Sequence, residues 1–337
     1  MDRAVQTKSV LIQSLCVPCF NHCRYCLLSW DHAVTGAGWE RSVQTAERFL
    51  RELKDQRPEI NSSFSFGYSM DHPNLREALR TLRRLGSPTA SFLQCDGMRM
   101  RDGAACRGLM EMLRAEGVLL LNFTVYGLPA YHDLFAGRKG DFDLIGRMMH
   151  AAKEAGIPFT TRIPLTAENA AQADKLIDRM RKAGSEQIML FVPNEEGRGK
   201  LLRGVRLRRE DLKKLAPESR SLLNQSIYRT EAEWLETPDP VQEKHRHILI
   251  SLRPDNMEVY EQRSALSVVR EIEEMDERYY AAFPDFGELA TSYGNPEGDS
   301  LYHIRDLYYH YRTLYAEDHG LHIRDIMDET QSGSRRF

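Results

Sequence analysis

CVPCFNHCRYCLLSWDH, residues 16–32, holds four of the chain's six cysteines. They read C-x2-C-x3-C-x2-C, and thiolates so closely spaced in one loop can face a common centre. A structural zinc ion takes four such ligands in a tetrahedron, but those sites usually separate their cysteine pairs by about a dozen residues or more. Only Phe20, Asn21 and His22 intervene here. A cubane iron–sulfur cluster spreads its ligands over a larger object and suits a compact loop. The bacterial ferredoxin run closes C-x3-C-P, and no proline follows Cys26.

Around the loop the chain alternates between two textures as far as about residue 193. Short β-leaning runs recur: SVLIQSL (9–15), SSFSFGY (62–68), TASFLQC (89–95), VLLLNFTVYG (118–127), IPFTTRIPL (157–165) and QIMLFVP (187–193). Between them lie charged stretches with helical spacing. VQTAERFLRELKDQ (43–56) sets Val43, Ala46, Phe49, Leu50 and Leu53 on one face, and the stretches 75–86, 105–117, 142–156 and 169–184 repeat the theme, the last four ending in Gly. Consecutive βα units predict a parallel sheet. Six strands are too few for a closed eight-stranded barrel, so the expectation is a partial (β/α)6 TIM-like barrel with functional residues at the C-terminal strand ends. The cysteine loop follows the first strand and belongs to that mouth. After about residue 205 the texture turns helical and charged. Helices are expected over 258–283 and 300–329, a turn-rich loop between them, one strand at HILISL (247–252), and a loosely ordered tail at 331–337.

Without Cys16, the loop reads Cys19-x3-Cys23-x2-Cys26 with Tyr25 before the last cysteine. C-x3-C-x-aromatic-C after a first strand, ahead of βα alternation, resembles the signature of the radical S-adenosylmethionine (SAM) superfamily. The resemblance implies that Cys19, Cys23 and Cys26 hold three irons of a [4Fe–4S] cluster. The fourth iron is left for the amino and carboxylate groups of SAM. Reduction then cleaves SAM to a 5′-deoxyadenosyl radical that takes a hydrogen atom from a substrate. Cys16 is a spare by this reading.

Other segments extend the likeness to about residues 9–200. Gly67-Tyr68-Ser69 stands where the family usually has Gly-Gly-Glu against the SAM amino group. Thr124 stands where many members carry a hydroxyl for the SAM ribose. VYGLPAYHDLFAGRKGDFDLI (125–145), with Arg138, resembles the stretch after the fourth strand in peptide-modifying and sulfatase-maturing members, and FVPNEEGRG (191–199), with Val192, resembles the sixth-strand end beside the adenine. These residues, Tyr25, and Arg162 at the mouth as a partner for the SAM carboxylate, are the candidate cofactor contacts. Cys95 closes its strand run and is the candidate hydrogen-atom donor, against the plainer reading of a small core residue. No cysteine follows Cys106, so the cysteine-rich C-terminal extension of those relatives is missing and a second cluster is not expected. Residues 1–205 form the expected barrel core, and residues 206–337 a helical region that covers the barrel or shapes the substrate pocket.

Composition narrows the partners. Hydrophobic residues make up 42% and charged residues 28% of 337 positions, enough apolar mass for a sizeable core. A net charge of −3 argues against bulk binding of nucleic acid or anionic membrane. The N-terminus lacks the apolar run and cleavage site of a signal peptide. Clustered cysteines without a secretory signal point to the cytoplasm, where thiols stay reduced. The expected partners are a peptide or small-molecule substrate and a flavodoxin- or ferredoxin-like reductant. The competing readings are a zinc-stapled interaction protein and an iron–sulfur electron-transfer protein.

Overall fold

The apolar runs become parallel strands separated by helices: β1 (Gln6–Ser14), α1 (Trp39–Gln56), β2 (Asn61–Phe66), α2 (Leu75–Arg84), β3 (Phe92–Gln94), α3 (Gly103–Ala115), β4 (Leu120–Thr124), α4 (Pro129–Ala136), α5 (Asp141–Glu154), β5 (Phe159–Pro164), α6 (Ala173–Ala183) and β6 (Gln187–Phe191). Then follow α7 (Pro217–Arg220), α8 (Glu231–Leu235), β7 (His245–Leu252), α9 (Met257–Gln262), α10 (Ala265–Ala281), α11 (Phe286–Tyr293), α12 (Ile304–His319) and β8 (Ser332–Arg336). The structure, a computed structural model, describes residues 5–14, 19–27, 38–67, 69–241, 245–324 and 332–336.

The architecture is α/β, a partial TIM-like barrel, carried by two four-stranded ladders in the orders β2-β1-β7-β8 and β3-β4-β5-β6. The expected run of six strands is thus divided between β2 and β3. β3 is three residues long, and all its described ladder bonds go to β4. β7, from the largely helical C-terminal stretch, lies parallel to β1, with Leu11 opposite Leu249, and β8 adds antiparallel to β7.

Period-2 alternation gives each sheet two different faces. Val10, Ile12, Phe64, Leu121, Phe123 and Phe159 are buried in one core with the apolar stripes of the helices, including Val43, Ala46, Phe49 and Leu53 of α1. Each such side chain contributes about 1.5–3 kcal/mol by leaving water. The opposite face mixes polar side chains with Phe92, Leu120 and Met189 and is partly open. Gln94, Asn122, Thr160 and Gln187 stand in register across β3–β6 and line a cavity of about 360 Å³.

Four expectations for the second half change. The stretch 258–283 divides because the Ser264 hydroxyl accepts the Ser267 N–H and starts α10 as a separate helix after α9. The helix expected over 300–329 spans 304–319 and stops at Gly320, whose φ is +65°. The expected loop contains α11, capped by Asp285 accepting from Glu288. The tail is a strand, held where Arg336 and Arg246 both reach the buried Asp276 carboxylate at 2.6 Å.

His303 caps α12 by accepting the Arg305 N–H on Nδ1 at 3.2 Å, a task for the unprotonated nitrogen only. Burial, aided by the Arg305 charge, pushes the ring down to about 4 from an ordinary 6.5. The unfolded chain therefore binds this proton first, and the contribution present above pH 6.5 is lost as pH falls through 4. His303→Asn keeps a capping acceptor without the titration. Urea unfolding should show this variant losing less stability than wild type between pH 6.5 and 4, and parallel losses would count against the assignment.

Candidate functional site

Residues 19–27 form no helix or strand, and their shape is imposed by main-chain bonds to three separate elements. The Phe20 N–H donates to the Gly97 carbonyl beyond β3 at 2.8 Å. The His22 and Arg24 N–H groups donate to Ala136 and Phe135 at the end of α4, at 2.8 and 3.0 Å, and the Cys26 carbonyl accepts from Arg198 beyond β6 at 3.0 Å. The loop thus spans the C-terminal ends of the strands. Two approaches leave no room for a side chain. A Cβ on Gly97, whose φ is +62°, would overlap Cys19 Sγ, and one on Gly197, at φ +61°, would lie 2.8 Å from the Cys26 carbonyl oxygen.

A buried polar scaffold supports the loop from behind. Asn21 Nδ2 donates to Asp141 Oδ2 at 3.0 Å. His132 Nδ1 accepts the Tyr126 N–H at 3.0 Å, which leaves Nε2 to donate to Asp141 Oδ2 at 3.0 Å. Arg138 binds the other Asp141 oxygen and the Met98 carbonyl. Burial pushes the Asp141 carboxyl up, but the His132 bond and the Arg138 charge outweigh it and hold it below the ordinary range. On the outer side Arg24 pairs with Glu168 at 2.6 Å.

Cys19, Cys23 and Cys26 are half-buried and form no disulfides. Desolvation pushes the Cys19 thiol up to about 12, with the Asp96 and Cys26 charges adding to it, and burial pushes the Cys23 thiol up as well. Such thiols become ligands when a group brings positive charge to them and displaces their protons. Among the described residues no three His, Cys, Asp or Glu side chains converge as they would on a single metal ion. Three thiols in one pinned loop, with the Gly97 position kept clear beside Cys19 Sγ, suit a larger group, and the donor set fits a [4Fe–4S] cluster.

The remaining candidates separate into groups. Thr124 stands on the polar face, its hydroxyl donating to Asp96 Oδ2 at 2.8 Å and its N–H to Asp96 Oδ1 at 2.9 Å. Arg162 is beside it in register and exposed. The Gly67 N–H donates to the Ser14 carbonyl at 3.0 Å, joining the ends of β2 and β1. The Tyr25 ring sits among Phe135, Tyr126 and Phe191, with centroids 5.7, 5.8 and 6.1 Å away. Cys16, Tyr68 and the Ser69 side chain lie outside the described residues.

Three placements differ from expectation. Cys95 is wholly buried in the apolar core, because alternation sends Gln94 and Asp96 to the polar face and Cys95 to the helix side. Val192 is likewise in the core, while the Phe191 ring faces the loop. Arg138 is committed to Asp141 and Met98, so it positions the loop. Sequence reasoning gave no role to Asp96, Tyr126 or Asn169. Asn169 Nδ2 donates to the Tyr126 and Pro164 carbonyls at 2.8 and 2.7 Å, and Tyr126 Oη lies 3.0 Å from Cys23 Sγ. Their only sequence signal is a polar residue just past a strand, which is common in loops.

Gly97→Ala should abolish most iron uptake on anaerobic reconstitution. Gly86→Ala, at φ +69° with open space around it, should cost about 1–2 kcal/mol of stability and leave iron content unchanged. Iron assays and denaturant melts on both variants check this, and normal iron in Gly97→Ala would show that the close approach is dispensable.

A sequence model described as the Radical SAM superfamily matches residues 16–180. No curated protein matches. Among solved structures, Streptococcus suis SuiB bound to precursor peptide SuiA is similar at 13% identity and TM-score 0.49, over 77% of this chain and 62% of that one. Coproporphyrinogen III oxidase (HemN) from Escherichia coli is similar at 13% and 0.43, over 67% and 54%, and native anSMEcpe with bound AdoMet at 18% and 0.43, over 61% and 58%. The chain thus spans less than two thirds of each of these structures' length. At such identities and scores they carry no argument about this chain's chemistry. The assignment rests on the matched domain and on the cysteine run inside it: residues 16–180 are a domain of the radical SAM superfamily, whose cofactors are a [4Fe–4S] cluster and SAM.

Proposed function

We propose that the chain is a radical SAM enzyme in which Cys19, Cys23 and Cys26 ligate the cluster and a peptide or small molecule is modified on the polar sheet face. The observation that carries this is the loop itself, three thiols held by main-chain bonds at the strand ends. A cluster held there would supply one electron to break a C–S bond of SAM, giving methionine and a 5′-deoxyadenosyl radical that would take a hydrogen atom from the substrate.

The chain's own residues bind and orient. Asp96 takes the Thr124 hydroxyl proton in a hydrogen bond and Gln94 Nε2 donates to Oγ1 at 3.2 Å, so the second lone pair of Oγ1 can accept from a ribose hydroxyl. Arg162 offers an exposed guanidinium to a carboxylate of SAM or substrate. The main chain at Gly67 is the candidate for the SAM amino group. Cavity-lining amides and hydroxyls such as Gln94, Asn122 and Thr160 match a substrate rich in amide groups, which favours a peptide.

Residues 206–337 are proposed to close the barrel edge and shape this pocket, which the placement of β7 beside β1 supports. The proposed reductant is a flavodoxin- or ferredoxin-like protein. The proposed compartment is the cytoplasm, where reduced thiols persist. Among the described residues no helix is long and apolar enough to cross a membrane.

Single alanine replacements of Cys16, Cys19, Cys23 and Cys26 test the reading. After anaerobic reconstitution, iron content and dithionite-driven release of 5′-deoxyadenosine should collapse for the last three and persist in Cys16→Ala. Loss confined to Cys16→Ala would overturn the ligand assignment. A reduced cluster whose electron paramagnetic resonance (EPR) signal ignores SAM would favour the electron-transfer reading.

A further inference from the structure

We infer that Tyr126 is a positioning residue for the cluster's redox chemistry: its phenol O–H donates a hydrogen bond to the Cys23 sulfur and raises the one-electron potential of a cluster held there. The inference rests on the reading of Cys23 as a cluster ligand.

Tyr126 is 2% exposed. A buried phenol needs a hydrogen-bond partner, because leaving one unmade costs about 1–3 kcal/mol. Among the described residues the hydroxyl's partner is Cys23 Sγ at 3.0 Å. Everything else about the residue is fixed. Its N–H is held by His132 Nδ1 at 3.0 Å and its carbonyl by Asn169 Nδ2 at 2.8 Å. Its ring stacks on Phe135 with centroids 4.9 Å apart and an interplanar angle of 25°, and meets the edge of Tyr25 at 5.8 Å. The hydroxyl therefore cannot turn away without breaking that nest.

The scaffold also ties both partners to one anchor. Asp141 accepts from His132, which holds the Tyr126 main chain, and from Asn21, two residues before Cys23. Ring and sulfur are placed by the same carboxylate, which keeps the contact short while the loop takes up its ligand.

With a free thiol either atom can donate. A thiolate bound to iron can only accept, so the O–H becomes the donor. A donor at a ligand sulfur withdraws charge from the cluster, and the reduced form, more negative by one electron, gains more from this than the oxidised form. A residue present for packing alone would leave the potential where it was.

The couple to read is [4Fe–4S]2+ plus one electron giving [4Fe–4S]+, with dithionite as the electron source and EPR as the monitor. Wild type and Tyr126→Phe are reconstituted and titrated without SAM. The phenylalanine variant should hold the same iron, with its reduction equilibrium shifted about tenfold against the reduced form, which is about 59 mV lower for one electron. Tyr126→3-fluorotyrosine keeps the ring and strengthens the donor, so its potential should move upward. Unchanged potentials in cluster-bearing variants would overturn the inference and leave the radical SAM reading standing. If the phenylalanine variant loses its cluster, the fluorotyrosine variant decides alone, and no upward shift overturns the inference. A wild-type chain that takes up no cluster would overturn both.

Discussion

A loop that must present three sulfurs to one object cannot rely on local structure to hold them. Residues 19–27 have no ladder or helical turn of their own, and an unsupported loop of that length would lose order that the thiols need. Here the order is borrowed from the barrel. Main-chain groups of Phe20, His22, Arg24 and Cys26 are bonded to segments that emerge beyond β3, at the end of α4 and beyond β6. Those segments can approach so closely only because Gly97 and Gly197 carry no Cβ. The sheet therefore acts as a jig: strand positions set the segment ends, and the segment ends set the sulfurs.

The same logic explains what could be read from the sequence. Strands and helices follow from periodicity, which is local, so the βα alternation and the stripe Val43–Ala46–Phe49–Leu53 were legible, as was the cysteine spacing. Gly97, Asp96, Tyr126 and Asn169 were not, because each matters through a residue far away in the chain, as Asn21 does through Asp141, 120 positions on. Cys95 and Val192 were misplaced for a narrower reason. Knowing where a strand ends gives the level of a residue, while its face depends on a register that flips with every position. The strand at 332–336 escaped notice because its sequence, SGSRR, carries no apolar alternation. Its stability comes from ladder pairing with β7 and from Arg336 reaching Asp276.

The two faces of the sheet do different work for the same physical reason. Buried apolar side chains on the helix side contribute the stability. The opposite face is free to carry amides, hydroxyls and the Arg162 guanidinium, because it meets solvent or a ligand. A closed eight-stranded barrel fills that interior with its own side chains. An incomplete barrel leaves it available.

The position of β7 bears on how the chain reaches this state. β1 is flanked by β2 on one side and by β7 on the other, and Ser9 and His247, bonded at 2.7 Å, are 238 positions apart. During synthesis β1 and the cysteine loop precede the strand that covers the second edge of β1 by more than 200 positions, Ser9 and His247 being 238 apart. A nascent chain thus carries an unpaired β1 edge until β7 has been made, and closing so long a loop is slow.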